Sequence, residues 1–413
     1  MKEVLLINPR SDFLAEPGFV PPLGLLYLGA ALEAHGFRVQ VADLNLPGET
    51  LDGYNPSLIG VTCVTAQFAA VRSLVSRCRS LYPGVRVAVG GPHLSVRRDA
   101  ERLGADVGVA GDGEETIIAL AAGNGEDRGP VDVDRYPIPA RHLVPIADYS
   151  CAVDGEAATS LVSQRGCPFA CAFCSRWAST RKVRARLVDN VIEEIGQLKD
   201  MGFGSLVFHD DEMNLLNGRL LNLCRRMAPL GMRFKANARA DLLTREQAEA
   251  FAAAGCSWLC FGVESGSAEI LRKVSKGTTP EVNTRARRFC REMGIKFKAF
   301  TIIGLPGETR GTVEQTRRWL IENEVDDLTV TMLVPYPGSA IHEHPERFDV
   351  EFELDYERRG VPFRGAAGLQ LPHTTRTAAL DADELAELPE IIEASVRREL
   401  GLSRRTSGEE VAA

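Results

Sequence analysis

Hydrophobic and polar positions follow two successive rhythms along the chain. In the first part, EVLLIN (3–8), FRVQVAD (37–43), SLIGVT (57–62), VRVAVGG (85–91) and ADVGVAG (105–111) are short apolar runs. Such runs predict strands covered on both faces. Residues 22–36, 66–82 and 114–122 carry helical spacing between or after them, with Pro22 near the start of the first helix and Gly36 at its end. Strands separated by helices predict an α/β fold with a doubly wound, Rossmann-like parallel sheet over residues 1–125.

Residues 126–158 break this rhythm. Gly, Pro and acidic residues gather there with the phrase DRYPIPARHLVPIADY, which predicts a linker. The alternation resumes at Thr159. Strands are predicted at 159–164, 204–209, 232–238, 257–263, 296–303 and 327–334. Helices are predicted at 188–201, 215–228, 244–254, 280–293 and 309–322. Leu187, Val191, Ile195 and Leu198 form one apolar stripe on the first of these helices. Six strand–helix repeats predict a partial (β/α)6 barrel of TIM type over 159–340, with its chemistry at the C-terminal strand ends. Residues 341–413 are expected to form a small C-terminal cap, with a helix over 382–400 and a disordered tail, LSRRTSGEEVAA.

Composition narrows the function classes. The 413 residues are 45% hydrophobic and 25% charged, with a net charge of −8. That acidic balance argues against non-specific nucleic-acid binding. The longest hydrophobic region, VPPLGLLYLGAALEA, is too short to span a bilayer, and no signal peptide is apparent. A soluble cytoplasmic protein with no membrane partner is expected. Of ten cysteines, three are clustered, which in a reducing compartment points to metal or redox chemistry.

The cluster lies in RGCPFACAFCSRW, where Cys167, Cys171 and Cys174 have C-x3-C-x2-C spacing. Three thiolates can hold three corners of a [4Fe-4S] cluster. The fourth iron is then open to a small molecule, as a catalytic zinc keeps one open position. The alternative is zinc with a fourth ligand, for which the nearest histidines in sequence are His142 and His209.

This spacing after the first barrel strand, with Phe173 before the third cysteine, resembles the radical S-adenosylmethionine (SAM) superfamily. The resemblance implies that SAM chelates the open iron and is cleaved to methionine and a 5′-deoxyadenosyl radical. FHDDEMN falls where that family contacts SAM's amino group, which offers Asp210, Asp211 and Glu212. In KANARAD, Arg239 would pair with SAM's carboxylate. In CFGVESG, Glu264 and Ser265 match the ribose-binding position. In FTIIGLPGET, Ile302 and Gly304 match the adenine-contacting pattern, although Phe300 replaces its first glycine and Glu308 falls one place late. MLVPYPGS puts Tyr336 and Pro337 at the pocket mouth. The plain alternatives are a solvated acidic turn at 210–212 and a surface arginine at 239.

IGVTCVTAQFAAV, AVGGPHLS, GVAGDGEET and YPIPARHLVP resemble the cobalamin-binding domain fused to one branch of these enzymes. The resemblance places cobalamin at the strand ends, beside Thr62, Thr65, Gly90, Gly91, His93, Gly111 and Gly113. The cobalt-ligating D-x-H-x-x-G of mutases is absent. His93 is therefore expected to be structural or phosphate-contacting, and the domain either holds cobalt without histidine or is vestigial.

The expectation is a cobalamin-dependent radical SAM methyltransferase acting on an unactivated carbon of a small metabolite. His209 and Asp210 would contact protons or substrate, and a flavodoxin or ferredoxin would supply electrons. The alternative is a dehydration, epimerisation, cyclisation or rearrangement by the same superfamily. A tRNA methylthiotransferase would need further cluster cysteines, and residues 1–150 hold only Cys63 and Cys78. A non-catalytic corrin- or zinc-binding protein would leave the ordered strand-end motifs unexplained. The segment 341–381, with His342, His344, Tyr356 and Arg364, is expected to select the substrate.

Overall fold

Five strands build the first sheet: β1 (Glu3–Asn8), β2 (Arg38–Asp43), β3 (Leu58–Thr62), β4 (Arg86–Gly90) and β5 (Val107–Gly108). They are all parallel, in the order β2-β1-β3-β4-β5. This is a doubly wound order, whose switch point lies between β1 and β3. Strand period explains the core. Val4 and Leu6 pack with Leu25 and Leu32 of α1 (Leu23–Ala34). Leu5 and Ile7 pack on the other face with Phe68, Val71 and Val75 of α2 (Phe68–Leu81). Two further helices, α3 (Pro92–Val96) and α4 (Glu114–Ala122), complete this unit. The predicted strand at 105–111 is only two residues long.

The computed structural model describes residues 2–14, 16–124, 132–135, 137–175, 181–356 and 375–403. Two units are distinct. The first is built on residues up to Cys151, joined by Asp355 and Tyr356. The second holds most of the stretch from Ala152 to Leu354 and the C-terminal helix.

The second unit opens with a hairpin of β6 (Ala152–Val153) and β7 (Glu156–Leu161). Asp154 and Gly155 turn it with φ of 51° and 83°. An Asp-Gly pair with both φ positive suits a tight two-residue hairpin. The hairpin falls inside the expected linker, and the first barrel strand ends three residues early, at Leu161 rather than residue 164. The β7 strand then leads a parallel series: β10 (Ser205–Phe208), β11 (Arg233–Asn237), β12 (Cys256–Glu264), β13 (Lys296–Ile303) and β14 (Asp327–Met332). The spatial order is β14-β13-β12-β11-β10-β7-β6, an open partial barrel. A separate small ladder, β8 (Gln164–Arg165) with β9 (Arg184–Ala185), closes the base of the cysteine segment.

Helices α5 (Val188–Asp200), α6 (Asn217–Met227), α7 (Arg245–Ala253), α9 (Pro280–Glu292) and α10 (Arg310–Glu322) lie close to their expected bounds. Two short helices were not anticipated, α8 (Ala268–Lys273) and α11 (Ala340–Glu343). The outward residues of the sheet, among them Leu206, Phe208, Phe234, Phe261 and Phe297, form the main core with these helices. A final helix, α12 (Ala382–Leu400), packs on it through Leu385, Ile392 and Val396. Arg364 and most of the expected disordered tail lie outside the described residues. Among the described residues, no helix is long and apolar enough to cross a membrane.

Candidate active site

The cysteine segment begins where β7 ends, and a buried carboxylate fixes its root. Asp210, one residue beyond His209 at the end of β10, is 1% exposed. Its Oδ1 accepts the Ser163 amide at 2.6 Å and the Gln164 amide at 3.2 Å, and its Oδ2 accepts the Ser163 hydroxyl at 2.6 Å. Burial pushes its carboxyl up to about 6, against these hydrogen bonds. Its neighbours extend the clamp. Asp211 accepts the Gly166 amide at 2.9 Å, and the Glu212 carbonyl accepts the Gln164 side chain at 2.6 Å. Within the acidic run Asp210 is therefore neither solvated nor a free proton-transfer group, while Asp211 is exposed. The expectation for Asp210 is corrected: both of its oxygens are committed to the root of the loop.

Above this root, Cys167 is buried, and Cys171 and Cys174 are partly exposed. The Ala172 amide donates to the Val274 carbonyl at 2.9 Å, and the Ile341 amide donates to the Ala172 carbonyl at 3.1 Å. Phe173 and Ile302 pack on one small apolar cluster with Ala172, Val274, Leu305 and Ile341. The loop is thus held by backbone bonds and by packing on both sides of the cysteines. Ser175 donates its hydroxyl to the Pro337 carbonyl, and the half-buried Tyr336 has its phenol pushed up by desolvation.

Two cations face this loop. The Arg239 guanidinium lies 3.5 Å over the Phe169 ring. Its Nε and Nη2 donate to Asp241 at 2.9 and 3.2 Å, and Nη2 also donates to the Lys276 carbonyl at 2.7 Å. Arg239 is 3% exposed, so it is not a surface arginine. Burial works against its charge, and Asp241, Cys171 and Glu212 more than restore it. Lys276 behaves alike. Burial opposes its charge, while Glu264, Glu212 and Cys171 raise it on balance. Its Nζ donates to Glu264 Oε1 at 2.8 Å.

Glu264 sits at the end of β12 with φ of 62°, just past a register shift. A non-glycine residue there is strained, and such strain gathers at functional sites. Gly262 makes room for the pair, since a Cβ would lie 2.2 Å from Glu264 Oε1 and 2.6 Å from Lys276 Nζ. Ser265 does not join them. It is fully buried, and its hydroxyl contacts Thr316 at 3.3 Å. Gly304 has φ of 90°, and its amide donates to Glu308 at 2.5 Å. Burial pushes Glu308 up to about 8, so it is a neutral acid at pH 7. Glu308 thus braces the Gly304 turn although it falls one place late in sequence. Sequence reading missed Lys276, which sits in the polar turn VSKGTT after α8 and carries no local signal of burial.

In the first unit, the strand-end residues converge around β3 and β4. Gly91 has φ of 100°, and a Cβ there would lie 2.9 Å from the Cys63 carbonyl and from Thr62 Oγ1. Only glycine permits that approach. The Gly111 amide donates to Ser95 Oγ at 3.0 Å. Gly90 and Gly113 serve packing, against Val109 and Leu28 respectively. His93 is fully buried. Its Nδ1 lies 3.1 Å from Thr65 Oγ1 and its Nε2 3.1 Å from Asp99 Oδ1. Phe68 and Tyr356 meet its ring edge to face. Both ring nitrogens are taken, so His93 offers no electron pair to a metal. The Thr65 hydroxyl is likewise engaged.

Comparison with known proteins matches two family models. The radical SAM superfamily covers residues 161–320, and the B12 binding domain covers residues 15–121. The chain belongs to the radical SAM enzymes that carry a B12-binding domain. It is 29% identical to an uncharacterized methyltransferase of Pyrococcus horikoshii, over 78% of each chain. It is 26% identical to the anaerobic magnesium-protoporphyrin IX monomethyl ester cyclase of Rubrivivax gelatinosus, over 84% of this chain and 71% of that one. A solved structure of the radical SAM methyltransferase TsrM from Kitasatospora setae, with cobalamin and [4Fe-4S] cluster bound, shares the fold. Its TM-score is 0.69 at 23% identity, covering 84% of this chain and 75% of that one.

The family's cofactors are a [4Fe-4S] cluster, SAM and cobalamin, and the donor set of this radical SAM enzyme fits them. Three thiols on one loop beside two buried cations suit an anionic cluster. Among the described residues, no three His, Cys, Asp or Glu side chains converge on a point as a single ion requires. The strand ends of the B12-binding unit offer glycine backbone at Gly91 and Gly111, with no ligand from His93.

Two expected outcomes follow from this geometry. Asp210→Asn keeps the size of the side chain but leaves the Ser163 and Gln164 amides facing a weaker acceptor. It is expected to cost about 2 kcal/mol or more in urea unfolding and to lower iron content per chain. A normal iron content with lost activity would instead restore Asp210 to the chemistry. For the other unit, the protein loaded with cob(II)alamin is expected to give the same electron paramagnetic resonance spectrum whether its histidines carry 14N or 15N. A change in nitrogen splitting would mean that a histidine binds cobalt.

Proposed function

We propose that this protein is a cobalamin-dependent radical SAM methyltransferase that methylates a carbon of a small metabolite. One observation carries the reading: two buried cations, Arg239 and Lys276, set beside Cys171 at the C-terminal strand ends. Cationic groups there would balance the negative charge of a cysteine-held iron–sulfur cluster. Cys167, Cys171 and Cys174 would hold the cluster.

Arg239 would face SAM's carboxylate with the part of its fork that Asp241 leaves open. Glu264, preset by its strained backbone and by Lys276, would accept from ribose hydroxyls. The Gly304 turn, braced by Glu308, would present backbone groups to adenine beside Ile302. His209, pushed down to about 4 by burial and by Lys235, is a neutral imidazole at pH 7 and would contact the substrate.

When bound, SAM supplies a 5′-deoxyadenosyl radical that takes a substrate hydrogen, and cobalamin supplies the methyl group. The chain's own part is to place these groups and exclude water. An electron donor such as flavodoxin or ferredoxin would serve it in the cytoplasm, with no nucleic-acid or membrane partner. Support comes from the methyltransferase names of the Pyrococcus and Kitasatospora proteins. The Rubrivivax cyclase favours a second reading, a radical reaction without methyl transfer.

The test is anaerobic reconstitution of the full chain with iron, sulfide and hydroxocobalamin, followed by reduction with SAM. Cluster and corrin absorption are expected together, with both 5′-deoxyadenosine and S-adenosylhomocysteine as products. 5′-Deoxyadenosine alone would select the second reading. A protein that takes up no iron–sulfur cluster would refute both. Cys171→Ala is expected to abolish SAM cleavage while corrin binding persists.

A further inference from the structure

The inner face of the barrel sheet can be read from its register. Val207 pairs with Lys235, Lys235 with Trp258, Asn237 with Cys260, Cys260 with Lys298, and Lys298 with Asp327. The alternate residues, Phe208, Phe234, Ala236, Phe261 and Phe297, belong to the outer core. Side chains alternate across a strand. Lys235 and Lys298 therefore share the inner face, and His209 follows Val207 onto it.

The charges on this face do not balance. Lys298 is paired with Asp327 at 2.6 Å, and Asp327 also holds Arg397 at 2.7 Å. Glu264 is committed to Lys276, and Asp210 to Ser163 and Gln164. Lys235 has no ion pair or hydrogen bond among the described residues, although it is not exposed. Beside it, His209 Nε2 is buried without a hydrogen-bond partner. Burial and the uncompensated charge of Lys235 together depress the basicity of His209. Asp154, at the turn before β7, is likewise engaged by Lys296 at 2.8 Å and Arg233 at 3.7 Å. A half-buried ammonium beside an unsatisfied imidazole nitrogen is costly unless a ligand completes it.

We propose that Lys235 and His209 form a subsite for an anionic oxygen group of the substrate, a carboxylate or a phosphate. The inference rests on the reading that the inner face of the barrel sheet holds the substrate, with Lys235 in the middle of β11 and His209 just past β10. Lys235 supplies the point charge. His209 supplies one neutral hydrogen bond through Nε2, its tautomer set by the anion. Asn237, on the same face of β11, lies next to the pair and donates to the Asp210 carbonyl at 3.4 Å. The substrate class is thereby narrowed to small acids or phosphate esters, presented with the anionic end toward β10 and β11.

The test needs neither SAM cleavage nor corrin. Benzoate, phenyl phosphate and neutral benzyl alcohol are titrated into the reconstituted full chain, and binding is read from ligand signals by saturation-transfer NMR. One or both anions are expected to bind, with benzyl alcohol weaker by about tenfold or more. The tighter anion tells carboxylate from phosphate. Lys235→Met is expected to remove that preference, and Lys235→Arg to keep it. The inference is overturned if benzyl alcohol binds equally, if neither anion binds, or if Lys235→Met leaves anion binding unchanged. Those outcomes leave the cluster and product assays untouched, so the two readings fail separately.

Discussion

The candidate site depends on a carboxylate that never meets solvent. Asp210 lies two residues beyond β10, and its Oδ1 captures the Ser163 and Gln164 amides just beyond β7. An isolated ionised carboxylate in such a place would be costly, and its pKa rises accordingly. Three hydrogen bonds, two of them at 2.6 Å, offset that cost. Arg219 adds a second layer, donating to the Ser163 and Arg186 carbonyls at 2.9 Å each. Arg186 in turn pairs with the fully buried Glu194 at 2.5 Å. A chain of buried polar groups thus ties β7, β10, α5 and α6 to the first residues of the cysteine segment. The loop can carry reactive thiols because its root is rigid.

The same logic of paired burial governs the cations. Arg239 and Lys276 are both nearly inaccessible, yet neither is driven to neutrality. Asp241 supports the first and Glu264 the second. Two further negative groups, Cys171 and Glu212, act on both. The site is therefore organised as alternating charge around the cysteine loop. This explains why Glu264 tolerates a left-handed backbone at the end of a buried strand. In that conformation it pairs with Lys276 over Gly262.

Much of this was legible in the sequence. Strand and helix order followed from period, and the cysteine spacing named its own chemistry. What failed to show was how polar groups divide their labour. Asp210, Asp211 and Glu212 stand in one run, yet Asp210 clamps the loop root while Glu212 acts on Arg239 and Lys276. Ser265 follows Glu264 in sequence and turns instead toward Thr316. The Asp154-Gly155 hairpin was visible as a dipeptide, but the Pro-rich residues before it favoured a linker. His93 was expected to be structural or phosphate-contacting, but its partners could not be read from the sequence. Its two partners, Thr65 and Asp99, lie 28 and 6 residues away, a convergence that no local pattern announces.

The two sheets also differ in a way that their strands state directly. In β1, EVLLIN, four successive central residues are apolar and fully buried, because helices cover both faces. In β11, RFKAN, apolar Phe234 and Ala236 alternate with Arg233, Lys235 and Asn237. The β13 strand repeats the pattern with Lys296 and Lys298 around Phe297 and Ala299. A parallel sheet packed on one side by helices has no structural need for lysines on its other face. Burying them costs free energy that only a counter-charge returns. Lys298 finds its counter-charge in Asp327. In β11, Arg233 finds Asp154 and Asn237 finds the Asp210 carbonyl, which leaves Lys235 as the polar residue of that strand with no partner among the described residues.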